Sequence, residues 1–125
     1  MSEISSKEVA LAVAKALDEK KGDNIKIIEI DKISTLADYF VIADGANSPQ
    51  VEALVDNVQE QLFQLGRSPK RVEGIKNCGW ILLDYEDVVI HVFSKQDRLF
   101  YDLERVWRDG TTLSYAEFKQ QLENS

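Results

Sequence analysis

The chain has 125 residues, the length of one ordinary domain, and 44% of them are hydrophobic, enough for a core without disulfide or metal staples. Its 22 acids against 15 bases leave a net charge of −7, which excludes a free-standing nucleic-acid binder and favours a basic macromolecular partner. No apolar run reaches the roughly 18–20 residues of a membrane span, the lone Cys78 cannot form an internal disulfide, and the opening residues lack a signal or transit pattern, so the expectation is a soluble, cytoplasmic protein.

Ser5 and Glu8 form a capping box, with Ile4 and Val9 placed as a hydrophobic staple, and so predict a first helix. Val9, Ala12, Val13, Ala16 and Leu17 give it an apolar stripe, and Gly22 is the expected left-handed stop. Ile25 to Ile30 is β-branched and nearly alternating; Tyr39 to Ala43 is a continuous apolar run. Both read as strands, the second buried on two sides. A glycine turn at Gly45 leads to Ser48-Pro49, read as N-cap and first helical residue. The second helix carries Val51, Leu54, Val55, Val58, Leu62 and Leu65 on one side and stops at Gly66.

Arg71-Val72-Glu73 reads as a short edge strand. Trp80–Tyr85 and Val88–Phe93 then read as a hairpin around Glu86-Asp87. A two-residue turn puts Ile81, Leu83 and Tyr85 on one face with Val88, Ile90 and Val92. The other face receives Trp80, Leu82, Asp84, Val89, His91 and Phe93. A third helix is expected from Ser94 to Gly110, with Leu99, Phe100, Leu103, Val106 and Trp107 buried. Tyr115, Phe118 and Leu122 have helical spacing in the remaining tail, 111–125. The order predicts an α/β single domain, a mixed β-sheet of four to five strands flanked by helices.

The sequence holds little that could carry out chemistry. The turn at Gly45 has one glycine, no lysine, and Asp44 beside it, which would repel a phosphate. Asp84-Tyr85-Glu86 has the D-x-E spacing of a metal-dependent nucleotidyltransferase, but its second acid falls in a turn, where it faces water. His91 has no nucleophile in a G-x-S-x-G setting, and Cys78 has no basic cluster to activate it. No catalytic residue, metal ligand or cofactor is assigned. What remains is a surface: Trp80 with Asp84, Asp87 and His91 around one hairpin. An aromatic flanked by carboxylates suits an interface anchor, and a ring covered by a helix of its own chain suits it equally.

From Asp38-Tyr39-Phe40-Val41-Ile42 onward the chain resembles the ribosomal silencing factor family, also called Iojap-like. The likeness runs through Gly45, Ser48 and Glu73-Gly74. It is sharpest in Trp80-Ile81-Leu82-Leu83-Asp84-Tyr85, Asp87-Val88-Val89-Ile90-His91-Val92-Phe93 and Arg98–Trp107. These blocks cover most of residues 5 to 108 and suggest a silencing-factor domain at 1–110. Glu86 stands where the family commonly has glycine, which sets its poor tolerance of positive φ against a primed turn. The resemblance implies a nucleotidyltransferase-like fold without the catalytic carboxylates. It also implies binding to protein fourteen of the large ribosomal subunit, blocking small-subunit joining and repressing translation under nutrient limitation. Carried over by position, Trp80, Asp84 and Asp87 are the expected partner-binding residues, followed by Tyr85, His91 and Glu73. Direct nucleic-acid or membrane binding is not expected, whereas a weak homodimer is. The alternative reading is a divergent metal-dependent nucleotidyltransferase.

Overall fold

In the computed structural model, which describes residues 5–30, 37–74, 80–95 and 111–123, helix α1 (Ser6–Glu19) starts on the expected Ser5 N-cap. The Glu8 amide donates to the Ser5 hydroxyl at 3.2 Å, and that hydroxyl donates to the Glu8 carboxylate at 3.3 Å. Its C-terminus is a Schellman turn: the Gly22 amide reaches the Leu17 carbonyl at 2.9 Å and the Lys21 amide reaches Asp18 at 3.0 Å. The left-handed residue is Lys21, φ 62°, rather than Gly22. Gly22 has a different task. A Cβ there would lie 3.0 Å from both the Leu17 carbonyl oxygen and a Leu54 methyl, so the glycine permits α1 to close onto the second helix.

Strand β1 (Asp23–Glu29) pairs antiparallel with β2 (Tyr39–Gly45), and α2 (Ser48–Gln64) follows. The N-cap of α2 is Asn47, one residue earlier than Ser48, because the Asn47 side chain accepts from the Gln50 amide at 2.9 Å. The Gln50 side chain returns a bond from the Ala46 amide at 2.7 Å. The buried side of α2 is Val51, Leu54, Val55, Asn57, Val58 and Leu62. Leu65 leaves the expected stripe, since the helix has already ended there in a second Schellman turn with Gly66 at φ 82°.

The edge strand β3 (Arg71–Glu73) pairs with β4 (Trp80–Asp84), and β4 with β5 (Val88–Ser94), both antiparallel. The central event is the parallel pairing of β2 with β5, seven registered pairs from Tyr39 opposite Val88 to Gly45 opposite Ser94. The sheet has six strands in the order β3-β4-β5-β2-β1-β6, one or two more than expected. The addition is β6 (Thr111–Ser114), which pairs antiparallel with β1 and runs into α3 (Tyr115–Glu123). Residues 111–123 are therefore built into the domain rather than trailing from it, and Phe118 lies buried in its core, edge-on to Tyr39. The predicted helix between Ser94 and Gly110 lies outside the described residues, apart from its first position or two.

Both faces of the sheet are apolar. One carries Ile27, Tyr39, Val41, Ala43, Ile81, Leu83, Tyr85, Val88, Ile90 and Val92 against α1, α2 and α3. The other joins Ile28, Ile30, Phe40, Ile42 and Phe93, with Trp80 and Val89 packed beside them. The hairpin thus divides its side chains as the two-residue turn requires: Trp80 opposite Phe93, Leu82 opposite His91, Asp84 opposite Val89.

The turn itself is strained. The Tyr85 amide donates to the Val88 carbonyl, and the Asp87 amide donates back to the Tyr85 carbonyl, both at 3.0 Å, with Glu86 between them at φ 74°. This is a positive-φ γ-turn, costly for a residue with a Cβ. The Asp84 carboxylate steadies it by accepting from the Glu86 amide at 2.8 Å. Glu86→Gly is expected to raise stability by about 0.5–1 kcal/mol, strain relief exceeding the added chain entropy. A thermal or denaturant midpoint equal to or below that of the unaltered protein contradicts this.

Candidate functional site

The candidate site is the β4–β5 hairpin on the face away from the described helices. At its centre three rings lie nearly flat on one another. The half-buried Trp80 stacks on Phe93 (centroids 5.6 Å, 18° between planes) and on His91 (5.9 Å, 24°), and His91 parallels Phe93 (6.3 Å, 9°). Phe40, from β2, meets His91 edge-on at 5.0 Å and 65°. The strand register makes this inevitable. Trp80 faces Phe93, His91 is the diagonal neighbour two residues back, and the parallel pairing of β2 with β5 brings Phe40 alongside. The Trp80 indole N–H donates to His91 Nδ1 at 3.2 Å.

His91 is only 4% exposed. Because Nδ1 accepts, the neutral ring carries its proton on Nε2, which is buried and has no hydrogen-bond partner among the described residues. Desolvation by burial lowers the His91 pKa from 6.5 to about 4.

Around the turn, the acids do not stand bare. Asp87 Oδ1 takes a bond from Arg67 Nη2 at 2.7 Å, and the same nitrogen donates to the Tyr85 carbonyl at 2.9 Å. Asp84 is paired with Arg71 at 3.2 Å, Glu73 with Arg71 at 3.4 Å, and Glu86 with Lys70 at 3.5 Å. Within these pairs, four carboxylates face three cations.

The six sequence-selected residues therefore separate. Trp80 and His91 touch. Asp84 and Glu73 share Arg71 on the same face, with Asp84 about 13 Å along the strand from Trp80. Asp87 lies at the turn with Arg67. Tyr85 is 1% exposed and points to the helix side, its hydroxyl without a partner among the described residues and its pKa raised by burial. Sequence reasoning missed Arg67, Lys70 and Arg71. The only available signal was the Arg71-Val72-Glu73 edge strand, whose pairing with Leu82-Leu83-Asp84 brings unlike charges together. Among the described residues no group of three or more His, Cys, Asp or Glu could hold a metal ion, and no helix is long and apolar enough to cross a membrane.

A pH dependence follows from His91. The unfolded chain takes up this proton near pH 6.5 and the folded chain only near 4. The contribution to stability is therefore complete above 6.5 and is lost as pH falls toward 4, by about 3 kcal/mol in all. His91→Asn should flatten the difference in unfolding free energy over that window. Parallel pH profiles for the variant and the unaltered protein contradict the assignment.

Residues 3–125 match the family described as ribosomal silencing factor during starvation. The ribosomal silencing factor of Bacillus subtilis is 36% identical over 107 residues, 86% of this chain and 91% of that one. The chloroplastic protein Iojap of Zea mays is 28% identical over 104 residues, 83% of this chain and 45% of its own length. A crystal structure of a Chromobacterium violaceum protein superposes with a TM-score of 0.80 at 32% identity, covering 83% of this chain and 87% of that one. A second, from Bacillus halodurans, gives 0.75 at 33%, covering 86% and 97%. With nearly the whole sequence matched and the same fold over most of its length, this chain belongs to the ribosomal silencing factor family.

Proposed function

We propose that this chain docks on the large ribosomal subunit through its protein fourteen and keeps the small subunit from joining, so repressing translation when nutrients are scarce. The observation that carries the reading is the Trp80 stack: a half-buried aromatic on a rigid hairpin, bordered by ion-paired polar residues. An apolar centre with a polar rim is the anatomy of a protein interface, and tryptophan is its commonest anchor. A net charge of −7 favours a basic ribosomal protein over ribosomal RNA as the contact. A domain of radius of gyration ~14 Å seated on the joining face needs no chemistry to exclude the other subunit.

The same reading makes the protein a cytoplasmic, cofactor-free binder rather than an enzyme, on a scaffold akin to nucleotidyltransferases. Asp84 and Glu86 support it, because both acids of the D-x-E spacing are committed elsewhere: Asp84 to Arg71 and the Glu86 amide, Glu86 to the turn and Lys70. Trp80, Asp84 and Asp87 make the contact, with Glu73 on its border. His91 and Tyr85 act from beneath. A weak homodimer using the open sheet edge at β3 would compete with docking.

Trp80→Ala is expected to weaken binding to purified large subunits by about 2 kcal/mol or more, roughly thirtyfold, while the folded fraction stays high. Recovery of protein fourteen on the unaltered chain, and its loss on the variant, tests partner and anchor together. Melting that collapses with unchanged affinity of the surviving folded protein would show Trp80 to be core only. For the dimer, sedimentation over a concentration range should reveal self-association that added protein fourteen dissolves. A monomer throughout removes the dimer alone.

A further inference from the structure

We infer that His91 is a positioning residue, whose Nδ1 selects which edge of the Trp80 indole is presented for docking. The inference rests on the proposed role of Trp80 and adds to it the device that sets the ring. Stacking on Phe93 and His91 fixes the plane of the indole, within 18° and 24° of theirs. A plane, however, is unchanged when the ring turns over. The torsion that turns it is a broad sp³–sp² rotation with two nearly equivalent settings. The plane angles to Phe93 and His91 do not by themselves distinguish the two settings. The hydrogen bond does distinguish them: only one setting brings Nε1 to within 3.2 Å of His91 Nδ1.

Three features make His91 a dependable acceptor. Its ring is immobilised by edge-on contact with Phe40 and by parallel contact with Phe93. Burial keeps it neutral at ordinary pH, so the Nδ1 lone pair stays available. Its position in β5, opposite Leu82 and diagonal to Trp80, is fixed by the register of the strand pair. Stability alone does not account for the residue. A buried Nε2–H without a partner among the described residues carries a desolvation cost that a phenylalanine would avoid. Placing that cost beside Trp80, the one half-buried aromatic of this face among the described residues, is explained if the imidazole is kept for what it does to Trp80.

The hydrogen bond is read first on the unaltered, full-length protein by nitrogen NMR. The expected result is an unprotonated His91 Nδ1, a protonated Nε2, and a scalar coupling between Trp80 Nε1 and His91 Nδ1. A protonated Nδ1, or an absent coupling, overturns the inference whether or not any variant folds. Binding to purified large ribosomal subunits is then compared for three variants. His91→Phe keeps a ring but removes the acceptor, and should weaken binding about tenfold, mainly through faster dissociation, with its thermal midpoint not lowered enough to depopulate the fold. His91→Asn places an amide oxygen near the Nδ1 position and should recover affinity to within about threefold. In the background of Trp80→Ala, His91→Phe should add no further loss, since the two residues act as a unit. Native affinity for His91→Phe while Trp80→Ala binds weakly overturns the positioning role and leaves the docking surface standing. Native affinity for Trp80→Ala removes the docking surface, and the positioning role with it.

Discussion

Everything on the aromatic face of the hairpin depends on the parallel pairing of β2 with β5. A parallel neighbour requires a long crossover, here α2, β3 and β4, and that crossover both covers one side of the sheet and delivers the hairpin. Because β2 and β5 are central, each must be apolar on both faces. Tyr39, Val41 and Ala43 go to the helices, while Phe40 and Ile42 go to the side of His91 and Phe93. Shifting this register by one residue would exchange the faces of the whole hairpin, carrying Trp80, His91 and Phe93 to the helix side and Ile81, Ile90 and Val92 away from it.

Two exceptions to good local design fall within six residues of each other on the hairpin. Glu86 occupies a left-handed turn that glycine would suit better, and His91 buries an orphaned N–H. Their compensations are local: Asp84 accepts the Glu86 amide, and the rings of Phe40, Phe93 and Trp80 enclose the imidazole. Sites that violate local rules are where function is usually found. Ion pairing adds a further constraint. Arg67, Lys70 and Arg71 offset much of the negative charge at the turn, which leaves ion-paired side chains bordering an apolar centre.

The hairpin was legible because alternation has a period of two and Glu86-Asp87 leaves only one consistent register for Trp80–Tyr85 and Val88–Phe93. The first helix was legible from Ser5 and Glu8, whose spacing needs nothing beyond the local chain. What could not be read is what distance in sequence conceals. Thr111 to Ser114 has a single aliphatic, Leu113, and becomes a strand only because β1 offers an open edge. Asn47 takes the cap from Ser48 because Gln50 can answer it, a competition between adjacent residues of similar propensity. The Arg67–Asp87 pair joins the end of α2 to a turn twenty residues away, and no periodicity announces it. Tyr85 was visible as a core-side residue by alternation; the resemblance to the family drew it toward the interface, and the pleat places it on the helix side.

The strand β6 has a consequence for the order in which the molecule assembles. It closes on β1 across most of the length of the chain, whereas β2, β4 and β5, which hold the aromatic stack, lie within residues 39–94. Loop-closure entropy grows with the separation of the joined segments, so the more local pairings are favoured first and the β1–β6 seam afterwards. The aromatic stack is thus specified by the part of the sheet that needs the shorter closures. The last seam seals the opposite margin, where an unpaired β1 would otherwise offer its backbone to any passing strand. The aromatic stack and the sealed margin thereby lie toward opposite ends of one sheet.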